Sequence, residues 1–123
     1  FLGNPNATGE TYHITSDEVI TWDVIHQTIA AALGAEARIV HMPSDYLAEH
    51  APSYGPGLIG DKQYSLIFDN SKIKRAVPGF AAKIPFFEGM RRSVEWVNEF
   101  GEKEIDGDTD KLIDRILTGW LPK

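Results

Sequence analysis

Three short segments rich in β-forming residues alternate with helix-like patterns, and this alternation constrains the fold more than any other feature of the chain. The segments are Thr11–Thr15, Arg38–Met42 and Tyr64–Phe68, and a turn-forming or helix-breaking residue follows each of them. Short runs bounded in this way are typical of β-strands. Because three such strands make a thin sheet, they need helices to cover it. We therefore predict an α/β fold, a small α+β-like domain with three short strands covered by four to five helices.

Capping residues predict where the first helices begin and end. Thr21 suits the N-cap of a first helix, and Asp23 would lie in its first turn, where the helix dipole favours negative charge. Gly34 is expected to end this helix. A short second helix is predicted from Ser44 through about His50. The Gly- and Pro-rich stretch 51–63 that follows is predicted to be a loop.

Three later helices follow from the same kind of signal. Asn70 or Ser71 should cap a short helix, which the Pro-Gly pair at 78–79 ends. Pro85 suits the first turn of a long helix to about Phe100, and Asp108 is expected to cap the last helix. The apolar face of the long helix comprises Phe87, Met90, Val94 and Val97. That of the last helix comprises Leu112, Ile113, Ile116, Leu117 and Trp120.

The overall composition indicates one folded domain, residues 1–123. Apolar residues make up 42% of the chain and charged residues 24%, which is typical of folded rather than disordered proteins. The net charge of −6 disfavours nucleic acid as a partner. The absence of cysteine fits a reducing compartment, so we expect the cytoplasm. No apolar run approaches the roughly 20 residues of a membrane span.

The two ends of the chain have a different character. Phe1-Leu2 followed by Gly-Asn-Pro resembles the last turn of a helix, so we interpret residues 1–8 as a residual helix end or linker of an excised fragment. Residues 104–123 are interpreted as a C-terminal helical extension. The stretch "DGDTD" at 106–110 lacks the Gly and Glu that a calcium loop needs at its sixth and twelfth positions, where Lys111 and Leu117 stand. Acids at a helix N-terminus explain this cluster better.

Common catalytic motifs are absent from the sequence. It contains no GxSxG, HExxH or Walker loop, and its GxGxxG spacing at residues 55–60 does not directly follow a predicted strand, as a dinucleotide fingerprint does. No two histidines are three or four residues apart on one helix, so we predict no metal site. The histidines are His13, His26, His41 and His50.

The stretch "YGPGLIGDKQY", residues 54–64, is the best candidate binding segment. Its glycines allow the backbone to approach a ligand closely. Asp61, Lys62 and Tyr64 supply an acceptor, a cation and an aromatic ring within four positions, and Leu58 precedes them. An ordinary surface loop is the alternative interpretation of the same stretch.

Four stretches, taken in order, resemble a known family. They are "GETYHITSDEVITWDVIHQTIAAALG", "RIVHMP", "YSLIFDNSKIKRAVPGF" and "IPFFEGMRRSVEWVNE". Over about residues 9–100 this order resembles the C-terminal part of the extended short-chain dehydrogenase/reductases, the NAD(P)-dependent epimerases, dehydratases and reductases. The matching positions are His13-Ile14, Leu33-Gly34, Asp69-Asn70-Ser71-Lys72, Pro78-Gly79-Phe80 and Trp96.

The resemblance implies a substrate-binding domain of a Rossmann-type enzyme without its Rossmann domain. Family members carry a Gly-rich dinucleotide fingerprint directly after a strand, and a Tyr-x-x-x-Lys pair. The pair does not occur in these 123 residues, and the Gly-rich stretch 55–60 does not directly follow a predicted strand. The implied function is substrate binding without catalysis, with NAD or NADP held by a missing N-terminal Rossmann domain. Asp69 and its neighbours are then scaffold that satisfies free N–H groups at a helix start.

The resemblance also bears on the substrate. Sugar-nucleotide epimerases often carry R-x-G-D before the third strand, with Arg on the diphosphate. Here the stretch is Leu58-Ile59-Gly60-Asp61, so a diphosphate would lose a bidentate cationic partner, which Lys62 replaces only in part. A sugar nucleotide and a smaller carbonyl or hydroxyl compound both stay open as substrates.

Two further hypotheses stay open beside the enzyme fragment. One is a non-catalytic member of the same fold class that binds RNA or protein, and the other is a free-standing interaction module. The negative charge and the lack of interleaved aromatic and basic residues disfavour RNA. If a Rossmann domain is missing, we expect an exposed apolar face and self-association through it. Its predicted members are Phe1, Leu2, Tyr12–Ile14 and Leu58-Ile59.

Overall fold

A computed structural model describes residues 3–101 and 106–121 of the chain, and these residues are helical and irregular. The predictions for Phe1, Leu2 and residues 104–105 therefore lie outside the described residues. The helices are α1 (Trp22–Ala32), α2 (Ser44–His50), α3 (Gly55–Gly57), α4 (Ser71–Ala76), α5 (Phe86–Phe100) and α6 (Gly107–Trp120). A short 3-10 turn covers Pro5–Ala7, and a wide, π-type turn covers Leu58–Lys62.

The predicted three-stranded α/β fold is wrong, because the described residues form no strand and no sheet. A strand exists only where its N–H and C=O groups bond to a neighbouring strand, so β-forming residues alone do not make one. The first and third predicted segments do meet through side chains. The ring of His13 lies edge-on to that of Phe68, with 5.0 Å between their centroids. They form no β-ladder there.

Local capping explains the start of α1 as predicted. Thr21 has an extended backbone conformation, and its side chain accepts a hydrogen bond from the Val24 N–H, so Thr21 is the N-cap. Asp23 lies in the first turn. The chain leaves the helix through Gly34, whose φ of +71° is a left-handed conformation that glycine adopts without strain.

The other predicted caps needed correction. The cap of the last helix lies two residues before the predicted one, because Asp106 accepts hydrogen bonds from the N–H groups of Asp108 and Thr109. Ser44 lies inside α2 and provides no side-chain cap. The predicted loop at 51–63 contains α3 and the wide turn, so it is largely helical.

The chain divides into two compact units. The first comprises residues 1–37 and 66–100, and the second comprises residues 38–65 and 101–123. In the first unit, α1 packs against α5, and Ile73 of α4 and Val94 of α5 are its buried apolar side chains among the described residues. Ile73 is 1% exposed and is the largest fully buried side chain.

The second unit is built around α2, α3 and the wide turn. The Tyr46 ring stacks on His50 with 4.1 Å between the centroids and lies 4.7 Å from the Trp120 ring of α6. A Cβ atom at Gly55 would lie 3.3 Å from the Ala48 Cβ, so glycine allows α3 to approach α2 closely. Ala51 and Ile116 are buried in this unit.

The long-helix prediction is confirmed in length and only partly in its face. Helix α5 starts directly after Pro85 and reaches Phe100. Val94 is buried, but the side chains of Phe87 and Val97 are 63% and 46% exposed. Within the described ranges, no helix is both long and apolar enough to cross a lipid bilayer.

Candidate functional site

An open cleft of about 500 Å³ lies within the first unit, between two segments that are distant in sequence. One wall is residues 15–20, which lead into α1, and the other is residues 66–70, which lead into α4. Its volume falls in the range of small-molecule sites in proteins. The cleft combines apolar side chains with carboxylates, so it is the candidate site of this unit.

Asn70 joins the two walls of the cleft. Its side-chain amide nitrogen donates to the backbone carbonyl of Thr15 at 3.1 Å and to the Asp17 carboxylate at 2.8 Å. A longer contact of 3.4 Å reaches the carbonyl of Ser16. The sequence predicted Asn70 as a helix cap, but its side chain makes no capping bond and instead holds the opposite wall.

A second link between the walls is ionic. Lys74 of α4 donates to the Asp17 carboxylate at 2.5 Å. The hydrogen bond from Lys74, followed by that from Asn70, lowers the pKa of Asp17 below its ordinary value. Asp17 is therefore charged at neutral pH. Because both partners are largely exposed, the pair positions the turn at residues 15–18 more than it stabilises the fold.

Glu18 connects the same turn to the start of α5. Its carboxylate accepts hydrogen bonds from the Phe86 N–H at 3.0 and 3.3 Å. The first N–H groups of a helix have no partner within the helix, and a carboxylate from elsewhere in the chain satisfies this one. The cleft wall is therefore anchored to α1, α4 and α5.

Asp69 performs the scaffold role that the sequence predicted for it or its neighbours. One carboxylate oxygen accepts from the Ser71 N–H at 2.8 Å, and the other accepts from the Ser71 hydroxyl at 2.9 Å. These two bonds, the backbone one first, lower the pKa of Asp69. The prediction that Asp69 satisfies an N–H group at the start of α4 is confirmed.

The apolar walls of the cleft are unusually open to solvent. Leu66, Ile67 and Phe68 are 63%, 72% and 55% exposed, and Val19 is 68% exposed. Contiguous exposed apolar side chains of this kind mark surfaces that bind a ligand or a second protein surface. A ligand in this cleft would have one open side.

The predicted binding segment lies in the second unit, on and just after the wide turn. Leu58 and Asp61 are half-buried, and Lys62 and Tyr64 are exposed. Asp61 and Lys62 form an ion pair with each other, so each largely neutralises its neighbour. The Tyr64 N–H donates to the Asp61 carbonyl at 3.1 Å, which fixes the backbone after the turn. The role of these four residues in substrate binding stays a prediction.

The described residues include a tyrosine–lysine contact but no cluster of metal ligands. No cluster of three or more potential metal ligands occurs within residues 3–101 and 106–121. A tyrosine and a lysine do meet in the first unit, where the Lys72 ammonium lies 4.9 Å from the centroid of the Tyr12 ring. The lysine faces the ring and is also paired with Glu10 at 2.6 Å, which lowers the pKa of Glu10. This is a cation–π arrangement.

Sequence reasoning missed the cleft because its walls are far apart in the chain. The residues that join them, Asn70 and Asp17, are 53 positions apart. The available signal was that both lie in stretches that carry the family resemblance. Comparison of the chain with models of protein families, with curated proteins and with solved structures finds no match.

Proposed function

We propose that this chain is the substrate-binding part of an NAD(P)-dependent epimerase, dehydratase or reductase and is not catalytic alone. The observation that carries the proposal is the junction made by Asn70. It brings together two stretches that carry the resemblance, His13–Asp17 and Asp69–Lys72, around a cleft of ligand size. Elements that meet only to support each other would not need to leave such a cleft open.

The sequence supports binding without chemistry. Hydride transfer needs a nicotinamide held near the reacting carbon and a positioned acid or base. The chain has no Tyr-x-x-x-Lys pair, and its GxGxxG spacing at residues 55–60 lies in α3 and the wide turn instead of joining a strand to a helix, as a dinucleotide fingerprint does. In this proposal both belong to a separate N-terminal dinucleotide-binding domain, which also binds the NAD or NADP.

The exposed walls of the cleft are consistent with such a partner. Val19 is 68% exposed and Ile67 is 72% exposed. In the proposed parent protein the dinucleotide-binding domain covers this apolar face, and the substrate lies between them. On its own, the chain compensates by self-association through the same face.

Calorimetry tests this division of roles. Titration of the chain with NAD(H) and NADP(H) should give no measurable heat of binding, because the GxGxxG spacing at residues 55–60 does not join a strand to the start of a helix. Micromolar binding of either cofactor would contradict the proposal. The gene sequence immediately upstream is an independent check, and a Gly-rich fingerprint followed by Tyr-x-x-x-Lys is expected there. A fingerprint without the catalytic Tyr would instead favour the non-catalytic, RNA- or protein-binding alternative.

Variants of the parent protein test the segment at residues 58–64. We expect Asp61→Ala and Lys62→Ala to raise the substrate KM by about tenfold or more, the effect of one lost charged hydrogen bond. The cofactor Kd should stay unchanged, because this segment belongs to the substrate side. Lys111→Ala is the matched control, since Lys111 is an exposed cation on α6. Wild-type KM in both variants would remove this segment from the site while leaving the cleft in the first unit untouched.

A further inference from the structure

Negative charge dominates the cleft of the first unit. Asp17, Glu18 and Asp69 all line it. The hydrogen bonds that lower the pKa values of Asp17 and Asp69 keep these two carboxylates ionised at neutral pH. A ligand therefore meets several hydrogen-bond acceptors that carry charge.

The cationic groups near these carboxylates are already engaged. Lys74 is ion-paired with Asp17. Arg75 donates to the Ser71 hydroxyl at 3.0 Å, and its charge acts on Asp69 from the same helix. The charge of His13, which lies in the segment before the turn, also acts on Asp69. Among the described residues that face the cleft, these are the positive or titratable partners of its acids.

The N–H donors at the cleft are engaged in the same way. The Asn70 amide is bonded to the Thr15–Asp17 turn, the Ser71 N–H to Asp69, and the Phe86 N–H to Glu18. A phosphate group usually binds through backbone N–H groups at a helix start or through Arg and Lys side chains. Here Lys74 and the N–H groups of Ser71 and Phe86 are bonded to the protein's own carboxylates.

A separate observation in the second unit also disfavours a phosphate-bearing ligand. The cation of its candidate binding segment, Lys62, is paired with Asp61. Neither the described residues that line the cleft nor the segment at residues 58–64 thus present an unpaired cation for a nucleotide diphosphate.

We propose that the cleft binds an unphosphorylated, hydroxyl-bearing compound, such as a free sugar or polyol, and rejects its phosphate esters and nucleotide conjugates. Hydroxyl groups donate to the carboxylates of Asp17 and Asp69, and the apolar face of the ligand packs on Leu66 and Phe68. This inference rests on the proposed substrate-binding role and narrows it to a substrate class. It excludes the sugar nucleotides that the family resemblance left open.

NMR titration of the ¹⁵N-labelled chain tests this inference with two matched pairs of probes. The pairs are glucose against glucose 6-phosphate, and glycerol against glycerol 3-phosphate, at low ionic strength so that charge effects are not screened. We expect the unphosphorylated member of at least one pair to shift the amide signals of residues 15–20 and 66–70. Its phosphate ester should bind at least about tenfold more weakly.

The variant Asp17→Asn tests whether the negative charge of the cleft repels phosphate esters. This variant removes one cleft carboxylate and frees Lys74. At about 6 Å in water, one charge removed from beside a phosphate dianion changes affinity about tenfold. Asp17→Asn should therefore bind the phosphate ester about tenfold more tightly than wild type. Asp114→Asn, which neutralises an exposed acid on α6 of the second unit, is the control and should change nothing.

Two outcomes would overturn the inference. One is tighter binding of a phosphate ester than of its parent compound by wild-type protein, and the other is no shift of the cleft signals by any of the four probes. Either result can be distinguished from failure of the proposed function, which the cofactor titration tests. Binding of NAD(H) by the chain would contradict the proposed function even if the cleft still preferred the unphosphorylated probes.

Discussion

Ile73 is expected to be the side chain on which the first unit depends most. It lies in α4, a helix of six residues, and is 1% exposed. A helix this short is not stable by itself in water, so tertiary contacts must hold it. Since Lys74 and Asn70 lie on or beside α4, the same contacts hold one wall of the cleft.

The size of the effect follows from this burial. Full burial of an Ile side chain contributes about 1.5–3 kcal/mol, and Ile→Ala at buried sites costs about 2–5 kcal/mol because a cavity remains. We expect Ile73→Ala to lower the free energy of unfolding within that range, and Ile73→Val to lower it by about 0.5–1.5 kcal/mol. The total free energy of unfolding of a native protein is only about 5–15 kcal/mol, so the alanine variant should lose a large share of it.

Urea denaturation followed by circular dichroism measures these differences. Ile67→Ala is the matched control, because it removes the same atoms from a side chain that is 72% exposed. The control should change the free energy of unfolding by no more than about 0.5 kcal/mol. If Ile73→Ala and Ile67→Ala have equal effects, the assignment of Ile73 to the core is wrong. If the slope of the unfolding free energy against urea concentration is the same for wild type and variants, their unfolding reactions are comparable.

Two further predictions concern α6 and α5. A Cβ atom at Gly119 would lie 3.0 Å from the Tyr46 hydroxyl oxygen, so Gly119→Ala should lower the midpoint of thermal unfolding. Adding Tyr46→Phe, which removes that oxygen, should restore most of the loss. A double variant no more stable than Gly119→Ala would refute the contact. Hydrogen bonds from Arg91, then Arg92, lower the pKa of Glu88 to about 2. Because the folded-state pKa lies below the ordinary value, the stabilisation by Glu88 is present above about pH 4.5 and is lost as the pH falls towards 2. Acid titration of wild type and Glu88→Gln should show their difference in unfolding midpoint shrink in that window, whereas a constant difference would contradict the assignment.

The parts of the fold that the sequence predicted correctly depend on residues close together in the chain. The Thr21 cap bonds to a residue three positions on, and the Asp69 carboxylate bonds to Ser71, two positions on. Such features need only a local window of sequence. Asp106 shows the limit of this reasoning, because three acids in the "DGDTD" stretch could each cap a helix, and spacing alone did not distinguish them.

The parts that failed depend on distant partners. The predicted strands rested on β-forming residues, but the pairing that makes a strand is set by other segments, and the described residues supply none. The loop at 51–63 failed for a different reason. Its glycines and prolines were taken as breakers, yet Gly55 packs against Ala48 and Pro lies in a first helical turn, where both residue types are tolerated.

The candidate cleft combines both kinds of information. Its acids and its apolar residues are visible in the sequence, but each acid is defined by its partner. Asp69 bonds to a serine two positions away, which sequence reasoning anticipated, whereas Asp17 and Glu18 bond to residues 53 to 68 positions away. That difference decides the chemistry of the site. From the sequence alone, these acids could be interpreted as a site for bound cations. Because each acid already has a partner in the protein, the cleft instead presents a ligand with ionised hydrogen-bond acceptors beside an exposed apolar wall.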